Sequence, residues 1–293
     1  MNSPSPLNRE GNAITRICVS VALILFTAIL LYLTVFSMIA TTDMNTNNPP
    51  RERVDYLVDS LSLNLLCLMA SVLLLCLALR LLRKANTFTV CAICMGIVLV
   101  AGAVWVISVK GAPMQDSAIV TRAAYHITLG DWSQVTTDYF LRCPYQLGFV
   151  FYCELILRLF PMGNNFLSIQ FVNVLLLVLA EATLLRILWL LTHRDSTVKL
   201  GALLLVLCLP PVFFCTFSYG VIPSLCFSLL GIYQFLKMDR DGSLQSEWKH
   251  ALLAALFLGI AVCLKKNSLI VFAAVMILAL LRLISHRKPH NCC

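Results

Sequence analysis

Two of the polar stretches that separate the apolar runs of this 293-residue chain carry groups able to do chemistry. One is "MQD", residues 114–116, followed by the amphipathic segment "SAIVTRAAYHI". Its Asp116 is the first acidic residue beyond an apolar run that ends near residue 108, so it sits where the headgroup of a membrane-embedded substrate would emerge. A carboxylate within reach of a hydroxyl serves as a general base. The other is "KKNS", residues 265–268, a pair of adjacent lysines between two apolar runs. Charges near membrane depth are costly and commonly functional, although long lysine stems also snorkel to headgroups.

Other motifs carry less. The 13 cysteines lie mostly inside apolar stretches, where a thiol behaves as a small hydrophobe, and the Cys91-x-x-Cys94 pair has no βαβ pattern around it. Asp239-x-Asp241 sits in "MDRDGS", which reads as a turn. Cys292 and Cys293 do not form a CaaX box.

The elements that must hold these groups are helices in a membrane. A chain that is 60% hydrophobic and 12% charged, with a mean hydropathy of +0.87, is outside the range of soluble globular domains. Its apolar runs are continuous and Leu-rich, about the 20 residues that a 30 Å hydrocarbon core demands, and lack the alternation of a barrel strand. The expected fold is therefore an all-α polytopic membrane protein with about eight transmembrane helices, at 17–40, 61–82, 88–108, 166–192, 198–218, 221–238, 250–264 and 269–284. The net charge of +8 comes from Lys and Arg scattered at the ends of these runs, with no basic stripe interleaved with aromatics, so nucleic acid is not an expected partner.

The segment "LGFVFYCELILRLF", 147–160, decides the topology. It is too short to span and holds Glu154 and Arg158 four residues apart, which predicts an interfacial helix. On that reading both termini are cytoplasmic and the basic clusters fall inside, apart from Lys265 and Lys266. The large extracytoplasmic loop, 109–163, carries Trp132, Tyr125, Tyr139 and Tyr145, too many aromatics for disorder, together with Asp116, Asp131 and Asp138.

In order, "MQD", the aromatic-proline element "CPYQLG" (Cys143 to Gly148) and the basic element "CLKKNSLI" (Cys263 to Ile270) resemble the GT-C membrane glycosyltransferases, in particular the protein mannosyltransferase and aminoarabinose transferase branch. The resemblance covers about residues 88–284, with 1–87 as two added helices. It implies an enzyme that moves a sugar from a polyprenyl-phosphate carrier to an acceptor glycan, lipid or protein on the extracytoplasmic face. It implies Asp116 as catalytic base, Lys266 with Lys265 on the donor phosphate, and Tyr145, Gln146, Asn267 and Asp131 as substrate-binding residues. Metal-binding relatives carry a second acidic residue where this chain reads "SYGVIPS", so no metal or other cofactor is expected. Relatives usually continue with further helices, so the chain reads as a shortened form or a fragment. The absence of any N-x-S/T sequon and the short loops favour a bacterial plasma membrane. The rival expectations are a transporter or flippase, with "CLPPVFF" breaking a span, and a non-catalytic scaffold for lipid-linked glycans.

Overall fold

The computed structural model describes residues 13–45, 53–161, 165–238 and 244–286. The Asp239-x-Asp241 motif, Arg287, Lys288, Cys292 and Cys293 lie outside them. The chain divides into two compact units, Met1–Ala78 and Leu79–Cys293.

In the first unit, α1 (Ala13–Ile39) leads into an antiparallel hairpin of β1 (Ala40–Asn45) and β2 (Arg53–Val58), and α2 (Leu61–Leu81) follows. The hairpin occupies the polar stretch between the first two apolar runs. Thr41, Val54, Tyr56 and Val58 are residues with high strand propensity, and pairing Ala40 with Val58 satisfies their backbone groups. The junction is tied by hydrogen bonds: Asp59 N–H donates to Ile39 O (3.0 Å), and the Asn64 amide to Met38 O (3.0 Å).

The second unit is entirely helical among the described residues. Its main helices are α3 (Thr87–Val109), α4 (Gln115–Thr128), α5 (Asp138–Arg142), α6 (Leu147–Leu159), α7 (Asn165–Thr192), α8 (Asp195–Leu207), α9 (Pro210–Phe214), α10 (Val221–Lys237), α11 (Leu244–Leu264) and α12 (Leu269–His286). One core cluster joins α3, α7 and α8 through residues such as Val98, Val174, Leu177 and Ala202. A second joins α4 and α6 through Val120, Ala124, Ile127, Phe149, Val150 and Cys153, and reaches Ile169 of α7 and Leu264 of α11.

Among the described residues, five helical segments are long and apolar enough to cross a membrane: Val19–Ile39, Leu61–Lys84, Thr87–Val109, Phe166–Thr192 and Glu247–Leu264. Val221–Lys237 and Lys266–Leu281 are apolar but shorter. The predicted span at 198–218 is not one helix. The backbone leaves α8 at Cys208, and Pro210 begins the five-residue α9. A proline cannot donate to the preceding turn and its ring crowds the carbonyl four residues back, whereas it fits the first position of a new helix.

Breaking a helix here frees carbonyls, and α7 supplies the donors. The Gln170 amide donates to Gly111 O (2.7 Å) and Thr216 O (2.9 Å), and the Asn173 amide to Cys215 O (3.1 Å). Both residues are completely buried, on one face of an apolar helix. At the other end of the unit the buried Lys199 ammonium donates to Leu82 O, Arg83 O and Ala85 O at 3.1, 3.3 and 2.7 Å. It ties α8 to the 3-10 turn that precedes α3.

With 13 residues, α6 is about 20 Å long, short of a hydrocarbon core. Its internal pair has a structural use: Arg158 contacts Glu154 and donates to Ile127 O (3.1 Å), capping the C-terminal end of α4.

Candidate functional site

Asp116 stands in the first turn of α4, where a carboxylate interacts favourably with the helix dipole. Ser117 closes the turn, accepting from Met114 N–H (3.0 Å) and donating to Met114 O (2.8 Å). The residue before Asp116, Gln115, has φ +49°, the left-handed region that costs a side-chain-bearing residue about 1–3 kcal/mol.

Lys265 and Lys266 are positioned by the end of α11. The last helical bond is Lys265 N–H to Ala261 O (3.0 Å); Lys265 itself is extended (φ −152°, ψ 114°), and a 3-10 turn over Lys266–Ser268 leads into α12. Ser268 meets the Ser224 hydroxyl on α10, which pins the turn. Two glycines let neighbouring segments close on this end. A Cβ on Gly148 would overlap the carbonyl oxygen of Cys263, and one on Gly220, whose φ is +69°, would lie 2.6 Å from Leu264 O. The "CPYQLG" and "SYGVIP" segments therefore both pack against the start of "KKNS".

The result is a cleft of about 240 Å³ lined by Asp116, Tyr145, Gln146, Tyr219, Leu264, Lys265, Lys266 and Asn267. It brings together six of the seven residues singled out from the sequence. Lys266 Nζ lies 4.0 Å from the centre of the Tyr145 ring, and Lys265 Nζ lies 5.1 Å from that of Tyr219. Both lysines line the same space. Adjacent residues of a continuing helix would point about 100° apart, but the extended backbone at Lys265 lets both side chains reach the cleft. Burial lowers the Lys265 pKa, Asp116 pulls it back up and Lys266 pushes it down, so the three charges form one electrostatic group.

Asp131 does not line the cleft. Its carboxylate accepts from Ser133 N–H (2.9 Å) and faces His126 Nδ1 (2.9 Å), closing the turn after α4. The Ser133 bonds, with His126 adding to them, hold it down at about 2.

Two further tyrosines belong with the site. Tyr219 forms part of its wall. Tyr139 lies beside Asp116 and Gln146; its buried hydroxyl makes no hydrogen bond of normal geometry among the described residues, and burial followed by the Asp116 charge pushes its pKa up to about 12. Tyr139 was visible in the sequence only as one of several loop aromatics, and Tyr219 only as part of a short turn. Among the described residues no three His, Cys, Asp or Glu side chains converge.

The cleft can therefore hold an anion against two ammonium groups while presenting a carboxylate to a hydroxyl. No family model, curated protein or solved structure matches the chain.

Proposed function

We propose that the chain is a plasma-membrane glycosyltransferase of GT-C type that moves a sugar from a polyprenyl-phosphate carrier to an acceptor on the extracytoplasmic face. The observation that carries this reading is the meeting of Asp116 with Lys265 and Lys266 in one small cleft, although 149 residues separate Asp116 from Lys265. Its volume, equal to about eight waters, is the scale of one sugar residue and its phosphate.

In the reaction the acceptor oxygen forms a bond to the anomeric carbon while the bond from that carbon to the phosphate oxygen breaks, inverting the configuration. Asp116 takes the acceptor proton as its oxygen becomes nucleophilic. The departing polyprenyl phosphate gains negative charge, which Lys265 and Lys266 meet from preset positions. Tyr145 and Tyr219 hold those ammonium groups over their ring faces, and Gln146 and Asn267 offer neutral hydrogen bonds to sugar hydroxyls. The assay is release of free polyprenyl phosphate from a polyprenyl-phosphate sugar plus acceptor, with the acceptor class guided by lipids and glycans that co-purify. Donors that are bound but never turned over count against it.

One observation favours transport or lipid flipping as the second reading. Glu181, near the middle of α7, is buried with neither carboxylate oxygen hydrogen-bonded among the described residues, and ionisable groups at such depth commonly mark transport paths. A flippase moves labelled lipid-linked sugar between leaflets without releasing polyprenyl phosphate, and loses that movement in Glu181→Gln.

A further inference from the structure

A larger cavity, of about 630 Å³, opens far from the cleft. It lies between the first turns of α3, the C-terminal third of α7, the start of α8 and the end of α10. The 17-residue α10 runs from beside Tyr219 to Lys237, so about 25 Å of helix separates the two sites. We propose that this cavity binds a monoanionic glycerophospholipid of the leaflet at that end, with its phosphodiester between Arg186 and Lys237 and its acyl chain along the apolar wall.

Arg186 is the first observation. It lies inside the span Phe166–Thr192, six residues before the end of α7, about 9 Å along the axis. A guanidinium in an apolar span is costly unless it finds an anion, and Arg186 makes no ion pair among the described residues. Lys237, the last residue of α10, lines the same cavity, its ammonium 5.6 Å from the centre of the Tyr233 ring.

The chemistry of the lining is that of an amphiphile. Phe88, Met95 and Leu185 form an apolar surface, and Trp189, half exposed, stands at the edge as indoles do at a membrane interface. The buried Thr87 hydroxyl, without a partner among the described residues, lies in the same wall and can donate to a phosphate oxygen. Charge selects the headgroup. Two cations and one carboxylate, Asp195, leave a single positive charge to balance, which matches a phosphodiester lacking a cation of its own. Phosphatidylcholine brings a competing ammonium; phosphatidylglycerol does not. This inference needs only a membrane-spanning chain and is independent of the proposed transferase activity.

The test is native mass spectrometry of the full chain in mild detergent, titrated with phosphatidylglycerol and, separately, phosphatidylcholine of the same acyl chains. One phosphatidylglycerol should bind several-fold tighter than phosphatidylcholine. Arg186→Gln and Lys237→Gln should each weaken phosphatidylglycerol about fivefold and leave phosphatidylcholine unchanged, the loss of about one headgroup-level cation. Arg122→Gln on α4 should change neither. Asp195→Asn should tighten phosphatidylglycerol, a gain that damaged folding would not mimic. Equal affinity for the two lipids, or no loss in Arg186→Gln and Lys237→Gln with no gain in Asp195→Asn, overturns the proposal. Displacement of phosphatidylglycerol by inorganic phosphate at similar concentration would assign a simple anion site and overturn it too.

Discussion

At the scale of single residues, the cleft predicts a division of labour among its charges. Asp116→Asn keeps size and hydrogen bonding while removing basicity, so turnover should fall by roughly 10²–10⁴ with donor binding retained. On the proposed transferase reading, Lys265→Met and Lys266→Met should each weaken donor binding by about ten- to a hundredfold, because both ammonium groups line the same cleft; titrating both variants with polyprenyl-phosphate sugar checks this. An effect confined to Lys266 would mean that Lys265 takes no part in binding the donor. Asp131→Asn should leave turnover within a few-fold, since that carboxylate serves a turn. Its depressed pKa sets the sign of a pH effect: the stabilisation is fully present above its unfolded value near 4 and is lost as pH falls through about 2. Thermal unfolding of wild type and Asp131→Asn should therefore differ at pH 7 and converge across that window.

At the scale of elements, close approach is what assembles the site. Gly148→Ala should force α6 away from α11, costing about 1–3 kcal/mol and lowering donor affinity, whereas Gly96→Ala on α3, with open space around it, should be silent in both. Chemical denaturation alongside donor titration separates these outcomes. Asp116, "CPYQLG" and "KKNS" were legible in the sequence because polar residues and prolines are conspicuous among apolar runs. The orientation of Lys265 was not, since it depends on α11 ending at Leu264, a boundary that the lysines and Asn267 blur. The broken span was half legible: the prolines announced a break, but Gln170 and Asn173, three residues apart within an apolar run, gave the only sign of what would accommodate it. The hairpin was overlooked because an acidic, Asn-rich stretch reads as loop until Thr41 to Val58 is paired residue by residue.

At the scale of the whole molecule, the two sites lie toward opposite ends of α10, and a membrane orientation follows from the interfacial reading of α6. Cysteines placed at the exposed Ser133 and Ser196, after the native cysteines have been replaced, should label only from outside and only from inside, respectively. Labelling of Ser196→Cys from outside would reverse the assignment of α6. The wide separation of the cleft's two charged elements along the chain also bears on biosynthesis. Roughly 150 residues lie between Asp116 and Lys266, which at 5–20 residues per second is about eight to thirty seconds of translation. The amides of Gln170 and Asn173 leave the ribosome before the carbonyls of 215–217 that they receive, so the broken segment meets its partners as it enters the bilayer. Asp116, by contrast, must wait for its lysines, and a chain stalled or terminated before residue 265 would insert with a carboxylate in its cleft and no cation to accompany it.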